Sequence, residues 1–335
     1  MASIRDVAKH AGVSIASVSR VLNNDKSFAI KEETRQKIHD AIAELNYKIP
    51  EGYIKGNAKK FSIACIQRLT VEGDKDNYFS TIATGIKEHL SSYGKSLEFM
   101  FSQFDFDNNN YKKIFNTYPK GLIIMGDISD EAYEFLKSKI KYIVGVGTTY
   151  KDIDNIRYNK FHAGVDAVEY LVKCGHKKIA YIGSNYERGN LKELGRYEAY
   201  LKVLEANKLE INQDWIIDPK WQKDICFNKT VELLQSENRP TAIFAASDHM
   251  AIAAISAAHS LGLHVPIDVS IIAISDIDES AYITPALTTV SIPQKEMGKI
   301  ATETLLQRIF GDKTIKKDIY VPCKLTIRNS IKRTV

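Results

Sequence analysis

The sequence predicts an N-terminal all-α head joined by a short linker to an α/β core of two doubly wound parallel-sheet lobes. Three observations predict it. Residues 1–47 carry three short helical patterns and no strand pattern. From Phe61 onward, apolar runs of strand length alternate with amphipathic segments, as expected for parallel strands covered on both faces. The charge is divided along the same line: residues 1–60 hold eleven Lys/Arg against seven Asp/Glu, a net +4 out of the +5 of the whole 335-residue chain. A basic head on a near-neutral body of this size suggests a polyanion-binding module on a separate core.

Within the head, Ser3 and Asp6 have the spacing of a capping box, which starts a helix over Ile4–His10. Gly12 breaks that helix, and Ser14 caps a second one from Ile15 to Leu22. A third helix is expected from about Lys31 to Leu45, with Ile38, Ile42 and Leu45 on one face. Ala8, Gly12, Val13 and Val18 have the layout of a helix-turn-helix, a small residue and a turn glycine followed by apolar packing between crossed helices. A generic helical hairpin fits that spacing equally well. Residues 48–60, KIPEGYIKGNAKK, break periodicity with Pro and Gly and read as a linker or a marginal helix. In the body, the runs FSIACI, SLEFMF, GLIIM, YIVGV, KIAYIG, TAIFAA and SIIAIS are the expected strands. Helical patterns lie between them at about 79–93, 109–118, 130–139, 162–174, 190–206, 223–236 and 248–262. About seven such units exceed a single five-stranded sheet, hence two lobes.

The wording of the head adds a resemblance. IRDVAKHAGVSIASVSRVLNND followed by EETRQKIHDAIAELNY resembles the headpiece of the lactose/galactose repressor (LacI/GalR) family. KCGHKKIAYIG, TAIFAASDHMAIAAISAAHSLGLHVPIDVSII and PALTTV resemble segments of its core. The resemblance implies a headpiece at 1–47, a hinge at 48–60 and an effector-binding and dimerisation core at 61–335 with a periplasmic-binding-protein-like fold. Lobe 1 is then expected at about 61–159 and 291–321, and lobe 2 at about 160–290 and 322–335. It implies a cytoplasmic, homodimeric, sequence-specific regulator, expected to repress sugar-utilisation genes by binding a pseudo-palindromic operator in double-stranded DNA. Its helix from Ile15 would lie in the major groove with Ile15 and Ala16 at the specificity positions and Arg20 reading a base edge. The chemistry agrees, because Arg forms bidentate contacts to guanine while short apolar side chains meet only thymine methyls. Ser14, Ser17, Ser19 and Asn23 would bond phosphates, although each serine could equally be a cap or a solvated hydroxyl. The family hinge usually inserts a Leu into the minor groove. Here Pro50 is one position late and Gly56 stands in place of Leu, which leaves Tyr53 or Ile54 as the wedge, or a basic tether with no wedge at all.

In such a core the effector sits at the C-terminal ends of the strands, so polar and aromatic residues just after apolar runs are the candidates. They are Gln67, Tyr78, Phe79, Asp127, Asn159, Arg196, Trp221, Ser247, Asp248, Ser275 and Asp276. Arg196 matches the family's effector arginine, and Trp221 an aromatic that stacks on sugar in the lactose repressor. These types suit a carbohydrate, with an aromatic face for the pyranose and carboxylate and guanidinium groups for its hydroxyls. Structural alternatives stand beside them: Ser247 as a helix cap, Trp221 as a half-buried surface aromatic, Arg196 in an ordinary ion pair. Asn159, Ser247 and Ser275 depart from the residues common in the family. SIIAISDID and VPCKLTIR look closer to the galactose and evolved β-galactosidase repressors, so a galactoside-type effector is expected. A non-sugar metabolite is the alternative within the family.

Other classes fit poorly. The segment after Gly145 and Gly147 has Tyr150 where a dinucleotide fingerprint needs a third glycine. Ser247, Asp248 and His249 are adjacent, and neighbours point in different directions, so they do not make a triad. No HExxH pairing and no CxxC spacing occurs, so no metal or other cofactor is expected, and Cys65, Cys174, Cys226 and Cys323 read as reduced thiols. The carboxylates Asp276, Asp278 and Glu279 otherwise read as a solvated loop. The start MASIRDVAKHAG lacks the apolar core of a secretion signal, and no apolar run is long enough for a membrane span. TIRNSIKRTV carries no heptads for a tetramerising tail.

Overall fold

The computed structural model describes residues 2–22, 30–45, 47, 62–69, 77–102, 118–183 and 195–334. The expectations for Asn23, for the linker with Tyr53 and Ile54, and for a helix at 109–118 lie outside the described residues. The chain divides into two units. The first comprises Met1–Leu69, Phe79–Arg157 and Gln294–Ile319; the second comprises Thr70–Tyr78, Tyr158–Pro293 and Tyr320–Val335.

The head opens the first unit with helices α1 (Ile4–His10), α2 (Ile15–Leu22) and α3 (Glu32–Glu44). Val7, Ala8, Val18, Val21, Leu22, Ile38 and Ala41 come together as its core, with Val13, Ile42 and Leu45 packed against them. The rest of the unit is built on a six-stranded sheet. Its strands are β1 (Ile63–Gln67), β2 (Phe99–Ser102), β3 (Gly121–Met125), β4 (Tyr142–Val146), β5 (Asp154–Tyr158) and β11 (Asp318–Val321), in the order β11-β5-β4-β3-β1-β2. The strands β1 and β3 are buried along their whole length, as near-continuous apolar runs require. Helices α4 (Asn77–Ser92), α5 (Asp130–Lys139) and α10 (Gln294–Phe310) belong to this unit's chain segments or their margin. A Cβ on Gly85 of α4 would meet the Lys295 carbonyl, and one on Gly298 of α10 the Ile82 carbonyl, so two glycines let these helices touch backbone to backbone.

The second unit carries β6 (Ile179–Ile182), β7 (Ile216–Ile217), β8 (Ala242–Ala245), β9 (Ser270–Ser275), β10 (Thr288–Ser291) and β12 (Lys324–Thr326), in the order β12-β10-β9-β8-β6-β7. Its helices are α6 (Lys160–Lys173), α7 (Gly195–Ala206), α8 (Lys223–Gln235) and α9 (Asp248–Ser260).

Each of the seven apolar runs became a strand, and the differences have physical causes. The sheets are not wholly parallel, because β12 pairs antiparallel with β10. Strands β5, β7, β10, β11 and β12 have no apolar run to announce them. Strand β5 buries Asp154 and Asn155 completely, since their polar groups are satisfied inside the protein. Asp154 takes the Arg308 guanidinium at 2.7 and 2.8 Å, and Asn155 donates to the Tyr150 carbonyl at 2.6 Å. Helix α10 was not expected because it is buried on several sides, with Gln294, Thr302, Thr304 and Arg308 inside alongside Met297 and Leu305, so it shows no single apolar stripe.

Candidate functional site

In the head, Ser3 N–H donates to Asp6 Oδ2 at 2.7 Å and Asp6 N–H to Ser3 Oγ at 3.4 Å, a complete capping box. Donation from the Ser3 N–H, and from the Ser3 hydroxyl at 2.7 Å, holds the Asp6 carboxyl below its ordinary value. Gly12 has φ +65° with no atom near where a Cβ would stand, so the turn needs glycine for its conformation and not for space. Ser14 Oγ accepts from Ser17 N–H at 3.0 Å and so caps the start of α2, and it lies 2.9 Å from the Ser17 hydroxyl. Helix α2 turns Val18, Val21 and Leu22 inward. The opposite face presents Ser14, Ile15, Ala16 and Arg20 to solvent, with Ser17 and Ser19 at its margin. Ile15 is 45% exposed, unusual for an isoleucine that has a core beside it. No acid stands in the first turn of α2, so its N-terminal dipole faces outward unopposed by an acid of its own.

The second unit carries Arg196, Trp221, Ser247, Ser275 and Asp276 near the C-terminal ends of its strands. Arg196, second residue of α7, donates to the Ala246 carbonyl just after β8 at 2.9 Å and lies 3.4 Å from the Tyr158 hydroxyl. Its guanidinium stands over the Trp221 ring, 5.2 Å from the centroid. Gly164 admits α7 this close, because a Cβ there would strike Ala199 and crowd Arg196. Lys220 and Trp221 both have positive φ, +51° and +61°, in a turn fixed by Lys220 N–H donating to Asp218 Oδ1 at 2.8 Å. Such strain in non-glycine residues persists only where contacts over-determine it and is concentrated at functional sites.

Several candidates have structural partners. Asn159 caps α6 through His162 N–H at 3.0 Å, and Ser247 caps α9 through Met250 N–H at 3.4 Å. Asp248 differs from the expected hydroxyl-binding role. It is fully buried, with Oδ2 accepting from Ile277 N–H (2.9 Å) and Ser280 Oγ (2.6 Å) and Oδ1 from Thr289 Oγ1 (2.6 Å). Burial raises its carboxyl above the ordinary range, against the pull of these donors. Asp248 therefore holds the loop after β9. At its start Ser275, the last residue of β9, and Asp276 have φ +147° and +58°. Asp276 is not part of a solvated acidic loop, since Arg328 Nη2 donates to its Oδ1 at 2.7 Å; Asp278 and Glu279 are exposed as expected.

In the first unit, Gln67 is buried at the end of β1 and donates to Ser80 Oγ at 3.0 Å. Tyr78 and Phe79 are half-buried in the first turn of α4. Asp127 accepts from Thr149 N–H at 2.8 Å. Gly126, φ +72°, stands where a Cβ would touch the Arg68 side chain and approach Phe79, so Arg68 joins this edge unannounced by any motif. Tyr158 and Arg328 were likewise missed, because neither follows an apolar run.

The residues of the adjacent Ser-Asp-His run and Tyr150 have structural partners. Ser247 and Asp248 are occupied as cap and brace, and Tyr150 is buried, stacked on Tyr133 with its hydroxyl on the Ile128 carbonyl. All four cysteines are free, and burial pushes the Cys65 and Cys226 thiols up to about 12. Among the described residues no His/Cys/Asp/Glu group could hold a metal, and no helix is long and apolar enough to cross a membrane.

Comparison with known proteins bears on the whole chain. Residues 3–50 match the family "bacterial regulatory proteins, lacI family", and residues 168–331 a periplasmic binding protein-like domain. The HTH-type transcriptional repressor PurR of Mannheimia succiniciproducens is 32% identical over 99% of both chains. Its namesake in Actinobacillus pleuropneumoniae is 34% identical over 94% of this chain and 93% of that one. Among solved structures, the lac repressor dimer bound to operator and the anti-inducer ONPF superposes with a TM-score of 0.66, at 25% identity over 99% of both chains. The regulator CelR in complex with cellobiose has the same fold, with a TM-score of 0.70 at 22% identity over 98% of this chain and all of that one.

Proposed function

We infer the function from one premise: the chain belongs to the lacI family of bacterial regulatory proteins, matched from end to end by repressors of that family. It is a DNA-binding transcriptional repressor with an effector-binding domain, and not an enzyme. The single observation that carries the reading is the exposed face of α2, with Ile15 and Ala16 at its start and Arg20 one turn on. We propose that this face enters the major groove, Arg20 reading a guanine edge and Ile15 and Ala16 meeting thymine methyls. Ser14, Ser17 and Ser19 flank it and anchor phosphates, Ser14 while also capping the helix. Two copies of the chain on a pseudo-palindrome satisfy the symmetry such a headpiece calls for.

The effector is proposed to bind the edge of the second unit formed by Arg196, Trp221, Asp276 and the backbone beside Ser247 and Ser275. Gln67, Phe79 and Asp127 are candidate effector contacts within the first unit. An aromatic face beside fixed donors and an acceptor suits a small cyclic polyol, so a sugar is the first reading. The galactoside branch suggested by SIIAISDID and VPCKLTIR gains no support from full-length relatives named PurR. Their match favours a second reading, a planar heterocycle of the purine type stacked at Trp221.

The experiment has two arms. Operator selection from random duplexes followed by anisotropy titration is expected to return a palindrome bound by the full chain; no enriched sequence would remove the repressor reading. Calorimetry against sugars and purine bases then assigns the effector. Binding of a purine with no sugar bound would replace the first reading by the second.

A further inference from the structure

We propose that Arg328, in the tail after the last strand, is a positioning residue for the effector edge: it holds Ser275 and Asp276 in their strained backbone and thereby fixes where the Asp276 acceptor stands. This rests on the effector reading above.

Ser275 closes β9 and Asp276 follows it, at φ +147° and +58°. Neither is glycine, so both torsions oppose their own Cβ atoms and persist only if neighbours enforce them. The neighbours are identifiable. Arg328 Nη2 donates to Asp276 Oδ1 at 2.7 Å, and Nη1 donates to the Leu287 carbonyl, just before β10, at 2.8 Å. The Arg328 N–H donates to Thr288 Oγ1 at 2.9 Å, which fixes the root of the side chain. One guanidinium thus ties the loop to the next strand with two arms of its fork, a geometry a lysine cannot reproduce. From the other side Asp248 grips Ile277 N–H and Ser280. The residues at 275–277 are therefore clamped between the start of α9 and the tail.

The clamp has a chemical consequence. Asp276 and the buried Asp248 are near enough to repel, and the Arg328 charge compensates Asp276 there. The bond to Arg328 uses Oδ1, while Oδ2 accepts no hydrogen bond among the described residues. Asp276 is only partly buried, so a charge-balanced carboxylate keeps one oxygen for a hydroxyl or N–H of a neutral ligand. Removing Arg328 would release the torsions and leave the carboxylate uncompensated.

The test compares the full-length wild type with Arg328→Gln and Arg328→Lys. In a ligand-free crystal structure of Arg328→Gln, residues 275 and 276 are expected to leave positive φ while β9 and β10 stay paired. Persistence of both torsions would overturn the proposal. Calorimetry with D-galactose, methyl β-D-galactoside, D-ribose and adenine is expected to give Arg328→Gln about tenfold weaker binding of whichever probe the wild type takes, since a charge-assisted bond is misplaced. Arg328→Lys keeps the charge, and its loss is expected to be smaller, about threefold. Operator affinity without effector is expected to stay unchanged in both. A purely structural arginine would instead lower the melting temperature and leave probe affinity of the folded protein unaltered, which also overturns the proposal. If Arg328→Gln does not accumulate as folded protein, the crystal structure and titration of Arg328→Lys decide in its place. If no probe binds the wild type, the effector reading fails, and the torsions at 275–276 alone decide on Arg328.

Discussion

Arg308 and Asp154 show what a single pair of residues does in the first unit. The Arg308 guanidinium, buried in α10, makes two bonds to Asp154 and further ones to the carbonyls of Thr314 and Ile315, while Lys317 N–H also donates to Asp154 at 3.0 Å. Burial pushes the Asp154 carboxyl up, but the Arg308 bonds and charge overcome it and leave the group below its ordinary 3.8. A carboxyl depressed on folding stabilises the protein above its unfolded value of 3.8, and that contribution is lost as pH falls through the folded value. Arg308→Met strands a buried carboxylate and is expected to cost about 3–5 kcal/mol at neutral pH, read by urea denaturation. The deficit should shrink in mild acid as Asp154 takes up a proton; a deficit independent of pH would count against the ion pair as its cause. In the head, Arg20→Ala is expected to relax preference at one operator position by about 1–3 kcal/mol, measured by competition between half-site variants. Uniform weakening across sequences would make Arg20 a phosphate contact instead.

Among the elements, the α4–α10 pair depends on absent side chains. Gly85 and Gly298 each face a carbonyl of the other helix, so Gly298→Val must push the helices apart. The expected cost is about 1–3 kcal/mol in a thermal or urea melt, since overpacked backbone contacts cannot be relieved by a rotamer change. Gly12 is a contrasting case: its Cβ position is empty, so Gly12→Ala pays only the left-handed conformation, about 1–2 kcal/mol. Helix α2 was legible in the sequence because a cap, a turn glycine and one buried face agree. Strand β5 and helix α10 were not, because their buried polar residues are satisfied by partners far away in the chain, and periodicity carries no record of those.

At the scale of the molecule, the excess charge of residues 1–60 predicts strong salt dependence. With roughly 6–10 phosphates neutralised, operator affinity should fall by about 10³–10⁵ between roughly 50 and 200 mM salt, as anisotropy titration would record. Effector and operator should also change each other's affinity by one common factor, typically about 5–150-fold, since binding linkage is reciprocal. Unequal factors in the two titrations would mean that a third equilibrium is involved. The sequence by itself determined the division into a helical head and an α/β core, the seven apolar strands and the exposed face of α2. Each of these is a local matter of caps, turns and period, with the charge sorted to match. It also picked out Arg196 and Trp221, whose contact the fold then made. Only the tertiary structure decided that Asp248 is a brace and that Arg328 grips Asp276, because a hydrogen bond spanning 52 residues leaves no trace in spacing. A buried carboxylate and an exposed one are written with the same letter, and the partners that long-range packing brings to each set them apart.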